Sequence, residues 1–149
     1  MEKTIIIGCD HAGVDAKLKV IEILEKLEFK IIDLGTDSPE NPVDYPDIAK
    51  KVCKKVLENL DKNMGILICG SGEGMSLQAN RFKKIRADLC YDEYSAKMAR
   101  YDNDANILCL RAREFDHKLY KKIVPTFFLT NFSGFERHKR RIEMLDEEI

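Results

Sequence analysis

The chain has 149 residues, of which 44% are hydrophobic and 34% charged, and its formal net charge is -1. That is the profile of one domain, spanning 1–149, large enough to bury a core. It offers no basic field for nucleic acid and no apolar run near the roughly 20 residues of a membrane helix. The N-terminal MEKTIIIGCD runs directly into a strand, without the long apolar segment of a secretory leader, so a cytoplasmic location is expected.

Five short apolar runs read as strands: TIIIGC (4–9), KIIDLG (30–35), GILICG (65–70), ADLCY (87–91) and NILCL (106–110). Their nearly continuous hydrophobicity is that of strands buried on both faces. Amphipathic stretches separate them. AKLKVIEILEKLEF (16–29) places Leu18, Ile21, Leu24 and Leu27 roughly on one face, and DIAKKVCKKVLENL (47–60) does the same with Ile48, Val52, Val56 and Leu60. Shorter patterns follow at 75–82 and 94–101. Another runs over 118–130, where Pro125 is expected to kink or end the helix, and a charged helix spans 134–148. Five β-α repeats predict an α/β, three-layer Rossmann-like fold: a five-stranded parallel sheet with helices on both faces and a C-terminal helix.

The five cysteines form no CxxC pair, and the three histidines have no ligand spacing, so reduced, mostly buried thiols and no metal site are expected. In such a sheet, ligands bind beyond the carboxyl ends of the strands. The first strand ends in Cys9-Asp10-His11 and the third in Cys69-Gly70-Ser71-Gly72-Glu73-Gly74. The second strand is followed by a Pro-rich loop ending in Asp44-Tyr45-Pro46. The glycine loop suits an anion, although its spacing is neither a Walker loop nor a dinucleotide fingerprint. A thiol at its mouth suits proton abstraction from carbon, and equally suits a small buried strand end. Arg137 and Arg141 are one helical turn apart, with His138 beside them. They read either as a phosphate clamp or as a solvated basic helix end.

Taken in order, CDHAG, DLGT, DYPDIA, GILICGSGEGMS, QANRFKKIRA, DNDANILCLRAR and ERHKRRIEML resemble the B-type ribose-5-phosphate isomerases, a family that includes galactose-6-phosphate and allose-6-phosphate isomerases. The resemblance covers nearly the whole chain. It implies aldose–ketose isomerisation of a sugar phosphate without metal or cofactor, by homodimers or dimers of dimers with shared active sites. By resemblance Cys69 is the base acting at C2, Ser71 supplies a hydroxyl, and the amides of Gly70, Gly72, Glu73 and Gly74 hold the enediolate. Asp10 binds sugar hydroxyls and Tyr45 lines the pocket. His11, Arg137 and Arg141 hold the phosphate, while Asn103 and Arg113 come from the neighbouring subunit.

One position departs from that pattern. Asp102 stands where the family has a histidine thought to open the furanose ring. Three roles stay open there: a protonated acid, a base on the anomeric hydroxyl, or no role because solvent opens the ring or the substrate differs. Glu73 and Arg111 are smaller departures. A hexose-6-phosphate isomerase and a non-catalytic phosphosugar-binding subunit are the alternatives.

Overall fold

Strand and helix alternate in the order the apolar runs predict. The computed structural model describes residues 2–149. Its elements are β1 (Thr4–Cys9), α1 (Val14–Lys26), β2 (Lys30–Asp33), α2 (Tyr45–Leu57), β3 (Asn63–Cys69), α3 (Glu73–Ala79), β4 (Ala87–Leu89), α4 (Glu93–Tyr101), β5 (Ile107–Arg111), α5 (Tyr120–Leu129) and α6 (Glu136–Leu145). All five strands are parallel, in the order β2-β1-β3-β5-β4. This is the α/β Rossmann-like sheet with helices on both faces.

Alternate residues of each strand feed two cores. Ile5, Ile7, Ile66 and Ile68 join Val20 and Leu24 of α1 and Tyr120 and Phe127 of α5 on one face. Ile6, Leu67, Cys69 and Cys109 join Val52 and Val56 of α2 and Met75 of α3 on the other. Burial on both faces is why the strands read as unbroken apolar runs. The connection order reverses between β1 and β3. The crevice outside their carboxyl ends is therefore the expected ligand position.

Three local expectations need correction. In α1 the buried face carries Val14, Lys17, Val20 and Leu24, whereas Leu18 is 57% exposed. Lys17 tolerates full burial because its ammonium meets Asp33 (2.8 and 3.0 Å) and Asp37 (2.8 Å). In α2, Ile48, Val52 and Val56 are buried as expected, but the helix ends at Leu57, before Leu60. Pro125 does not end α5, which continues to Leu129. Burial of Tyr120, Ile123, Val124 and Phe127 outweighs the one helical hydrogen bond that proline removes. No helix among the described residues is long and apolar enough to cross a membrane.

Candidate active site

β1 and β3 lie side by side, with Cys9 in register with Ile68. Their carboxyl ends therefore deliver Asp10 and Cys69 to one edge of the sheet. Here a cavity of about 720 Å³ opens, bounded by Asp10, Tyr45 and the loop after Cys69. Its further wall comes from the ends of β4 and β5, as Leu89, Tyr91, Arg111 and Arg113.

The loop keeps its shape by serving its own polar groups. The Gly72 amide donates to Cys69 Sγ (3.2 Å), and the Glu73 amide donates to Ser71 Oγ (3.2 Å). Two of the amides expected to hold the enediolate are thus turned onto the thiol and the serine. Gly72 has φ +78°, and a Cβ there would sit 2.5 Å from Leu89 Cδ1 and 3.0 Å from the Leu110 carbonyl. Conformation and space both require glycine. Gly74 lies directly under the Tyr45 ring, where a Cβ would approach to 2.7 Å. Tyr45 is the first residue of α2 rather than part of the preceding loop, so the helix fixes it over the cavity.

Asp10 is 7% exposed, and one carboxylate oxygen caps the following turn through the Ala12 amide (3.0 Å). His11 does not line the cavity. Its Nδ1 accepts the Val43 amide at 3.3 Å, which ties down the segment entering α2.

Arg113 requires a correction. Expected from a neighbouring subunit, it lines its own chain's cavity and packs on Gly70. The physical reason is the ladder. Arg111 is in register with Cys69, and the Arg113 amide donates to the Gly70 carbonyl (2.9 Å), so the end of β5 emerges beside the thiol. The buried Tyr120 hydroxyl donates to the Arg111 carbonyl (2.6 Å) and fixes that end. Arg111 Nε donates to the Arg113 carbonyl at 2.7 Å. Neither guanidinium has an acidic partner within ion-pair distance among the described residues. Leu89 and Tyr91 escaped the sequence reading. The strand-end rule reaches them once it is applied to the fourth strand as well as the first three.

The remaining candidates lie elsewhere. Asp102 caps the C-terminal end of α4 and Asn103 follows it, both leading into the start of β5. In a parallel sheet that is the edge opposite Cys69. The four steps along β5 alone separate the two edges by about 13 Å. α6 packs on the same far edge: the Ser133 amide donates to the Tyr101 carbonyl (3.0 Å), and Asp146 accepts the Lys84 amide. Arg137 lies over the Phe135 ring at 4.7 Å. Arg137 and Arg141 are exposed on one face, without acidic partners among the described residues. His138 is buried between them and the body of the protein, 3.7 Å from Asp102 and 2.6 Å from Ser133 Oγ. Each chain thus carries a thiol cavity at one edge and a polar, arginine-bearing surface at the other.

All five cysteines are free thiols. Burial pushes Cys9 up to about 11 and Cys53 up to about 12, and it also raises Cys90 and Cys109. Cys69 alone among them borders the cavity.

Known proteins are similar to this chain in sequence and in fold. A family model described as ribose/galactose isomerase matches residues 5–145. A probable ribose-5-phosphate isomerase B of Mycoplasma genitalium is 41% identical over 145 residues, covering 97% of this chain and 95% of that one. Ribose-5-phosphate isomerase B of Escherichia coli is 38% identical over 143 residues, covering 96% and 94%. A crystal structure of a ribose 5-phosphate isomerase from Thermotoga maritima superimposes with a TM-score of 0.93 at 44% identity, covering 99% of this chain and 100% of that one. The M. genitalium enzyme with bound ribulose-5-phosphate superimposes with a TM-score of 0.92 at 41% identity, covering 97% and 95%. With the motifs in order, the sheet order matched and similarity running end to end, this chain belongs to the ribose/galactose isomerase family.

Proposed function

We propose that this member of a sugar-phosphate isomerase family interconverts ribose 5-phosphate and ribulose 5-phosphate, with Cys69 as the base. The observation that carries the reading is the thiol of Cys69, set at the mouth of the cavity and facing the Gly72 amide at 3.2 Å. The similar M. genitalium structure that holds ribulose-5-phosphate supports the choice of a pentose phosphate.

The chemistry follows from placement. The Cys69 thiolate takes the C2 proton of the open-chain aldose. The C–H electron pair becomes the C1–C2 double bond, and the carbonyl oxygen takes up the charge as an enediolate. The O2 hydroxyl proton passes to O1, the same carbon-derived proton returns at C1, and C2 becomes the carbonyl. Proton removal beside a carbonyl is slow chiefly because that charge is unstable, so oriented donors around it supply much of the catalysis. Ser71 and the loop amides provide them, with those at Gly72 and Glu73 re-aimed when substrate enters. Asp10 holds sugar hydroxyls, Tyr45 covers the ring, and Arg113 faces the phosphate.

A single chain holds only part of the machinery. Asp102, Asn103, Arg137 and Arg141 reach a cavity in a second copy, so the active unit is a homodimer or a dimer of dimers. His11, which follows Asp10 in the chain but does not line the cavity of its own copy, joins the phosphate group once the copies meet.

The test is NMR of the protein with ribose 5-phosphate in D2O. Ribulose 5-phosphate forms, with some solvent deuterium at C1. Cys69→Ala abolishes turnover and leaves phosphosugar binding within about threefold, because the thiol acts on the transition state more than on the bound sugar. Near-normal turnover of that variant would move the base elsewhere, with Glu73 the next candidate. Conversion of hexose 6-phosphates alone would move the substrate to the hexose branch of the family.

A further inference from the structure

One charged group of the cavity has no task in the chemistry above. Arg111 lines the cavity. As the ladder partner of Cys69, its backbone lies one strand spacing, about 4.8 Å, from that of the thiol. Paired residues of a parallel ladder send their side chains to the same face. Cys69 shares a core with Cys109, two residues before Arg111, so Arg111 leaves the strand on the thiol's side. Its guanidinium has no acidic partner among the described residues. One hydrogen bond, from Nε to the Arg113 carbonyl (2.7 Å), fixes its base. Nη1 and Nη2 are left to face the cavity.

The backbone beneath it is pinned. The buried Tyr120 hydroxyl donates to the Arg111 carbonyl (2.6 Å). His117 Nε2 donates to the Ala112 carbonyl (2.7 Å), in the tautomer whose Nδ1 accepts from Lys19 Nζ (3.0 Å). The Arg113 carbonyl takes Arg111 Nε itself. Each carbonyl from 111 to 113 thus has a donor. The glycine loop is in the opposite condition. Its Gly72 and Glu73 amides donate to Cys69 Sγ and Ser71 Oγ, and they must turn before they meet a substrate oxygen.

We infer that Arg111 is a catalytic residue of the isomerisation, and that its Nη1 and Nη2 hold the two cis oxygens of the enediolate, O1 and O2. The inference rests on the isomerase reading proposed above. As Cys69 takes the C2 proton, the C–H pair becomes the C1–C2 double bond and the carbonyl pair moves onto O1. When the O2 proton passes to O1, the charge moves to O2. A guanidinium that spans both oxygens meets the charge in either position and gives up no proton of its own. The planar fork that grips the two oxygens of a carboxylate also spans two cis oxygens on adjacent carbons. Donors held in place before the charge appears cost no reorganisation when it does. The phosphate does not call for this residue, because Arg113 faces it within the chain and Arg137 and Arg141 reach it from the second copy.

The test separates the enediolate from the phosphate. Arg111→Gln is expected to lower kcat for ribose 5-phosphate about 10- to 100-fold, at or below the loss of one oxyanion-hole donor, with KM within about threefold. Exchange of the C1 proton of ribulose 5-phosphate with D2O passes through the same enediolate and should fall by a similar factor. A phosphorylated hydroxamate, whose two cis oxygens mimic the enediolate, should bind the variant more weakly by about the factor lost in kcat. Inhibition by inorganic phosphate should stay within about threefold of wild type. Arg111→Lys keeps the charge without the fork and should recover only part of the rate. The inference is overturned if kcat holds while KM and phosphate inhibition change, which would make Arg111 a phosphate contact. It is also overturned if turnover is unaffected, or if kcat falls while hydroxamate affinity does not. A wild type that converts no sugar phosphate overturns the isomerase reading itself, and this role with it.

Discussion

Four of the five thiols are enclosed by apolar side chains, and their burial disfavours the thiolate. Cys69 differs in having a cavity in front of it and a backbone amide on its sulfur. One equivalent of iodoacetamide at pH 7.5 should therefore alkylate Cys69 first, as read by peptide mass spectrometry, and turnover should fall in proportion to labelling. First labelling at Cys90 or Cys9 would show that access, rather than the cavity, governs reactivity. Asp10 shows how one residue can serve both fold and site. One oxygen caps a turn, and the same carboxylate borders the cavity.

At the scale of elements, the β3–α3 loop depends on the left-handed Gly72. Gly72→Ala should lower stability by about 2 kcal/mol or more, combining about 1–2 kcal/mol of backbone strain with the clash against Leu89 and the Leu110 carbonyl. Urea denaturation would read it, and an unchanged midpoint would show that the loop relaxes freely. The α1–β2 junction is held differently, by Lys17 between Asp33 and Asp37. Burial works against the charge on Lys17, but the hydrogen bonds that its ammonium donates to the two carboxylates outweigh it and raise its pKa above 10.5. A lysine raised on folding contributes stability that is fully present below its ordinary value and lost as pH climbs through the folded one. Lys17→Met should therefore melt below wild type at pH 8, with the gap narrowing above about pH 10.5. The other buried thiols add the same alkaline loss to both proteins, whereas Cys9 feels the Lys17 charge, so the gap reports Lys17 together with its effect on Cys9. A gap that stayed constant with pH would mean that the ion pair contributes nothing through its charge.

The sequence made the order and type of these elements legible, because runs buried on both faces and amphipathic helices have distinct periods. Most of the cavity followed from the strand-end rule. What stayed hidden needed three dimensions. Lys17 reads as a surface residue until Asp33 and Asp37 are seen folded over it. Arg113 changes sides once the ladder places Arg111 opposite Cys69. His138 and Asp102 are 36 positions apart in the sequence, and nothing in their spacing predicts that they meet.

For the whole molecule, the decisive feature is that the thiol cavity and the Asp102–Arg141 surface occupy opposite edges of one sheet. If a working site draws on both, two defective chains can repair each other. Cys69→Ala and Asp102→Asn chains, unfolded and refolded together, should regain up to about a quarter of wild-type turnover, since a randomly mixed dimer carries one intact site in half its population. Restoration is read against each variant refolded alone, and its absence would place the complete site within one chain.

The strand order has one more consequence. The longest strands, β1 and β3, lie inside the sheet, and the rims are formed by β2 with four residues and β4 with three. Each rim offers only a few unpaired backbone groups, and the rim strand β2 begins and ends in exposed charged residues, Lys30 and Asp33. A second sheet finds little to extend along either border, so chains crowded together in a cell are kept from stacking into fibres.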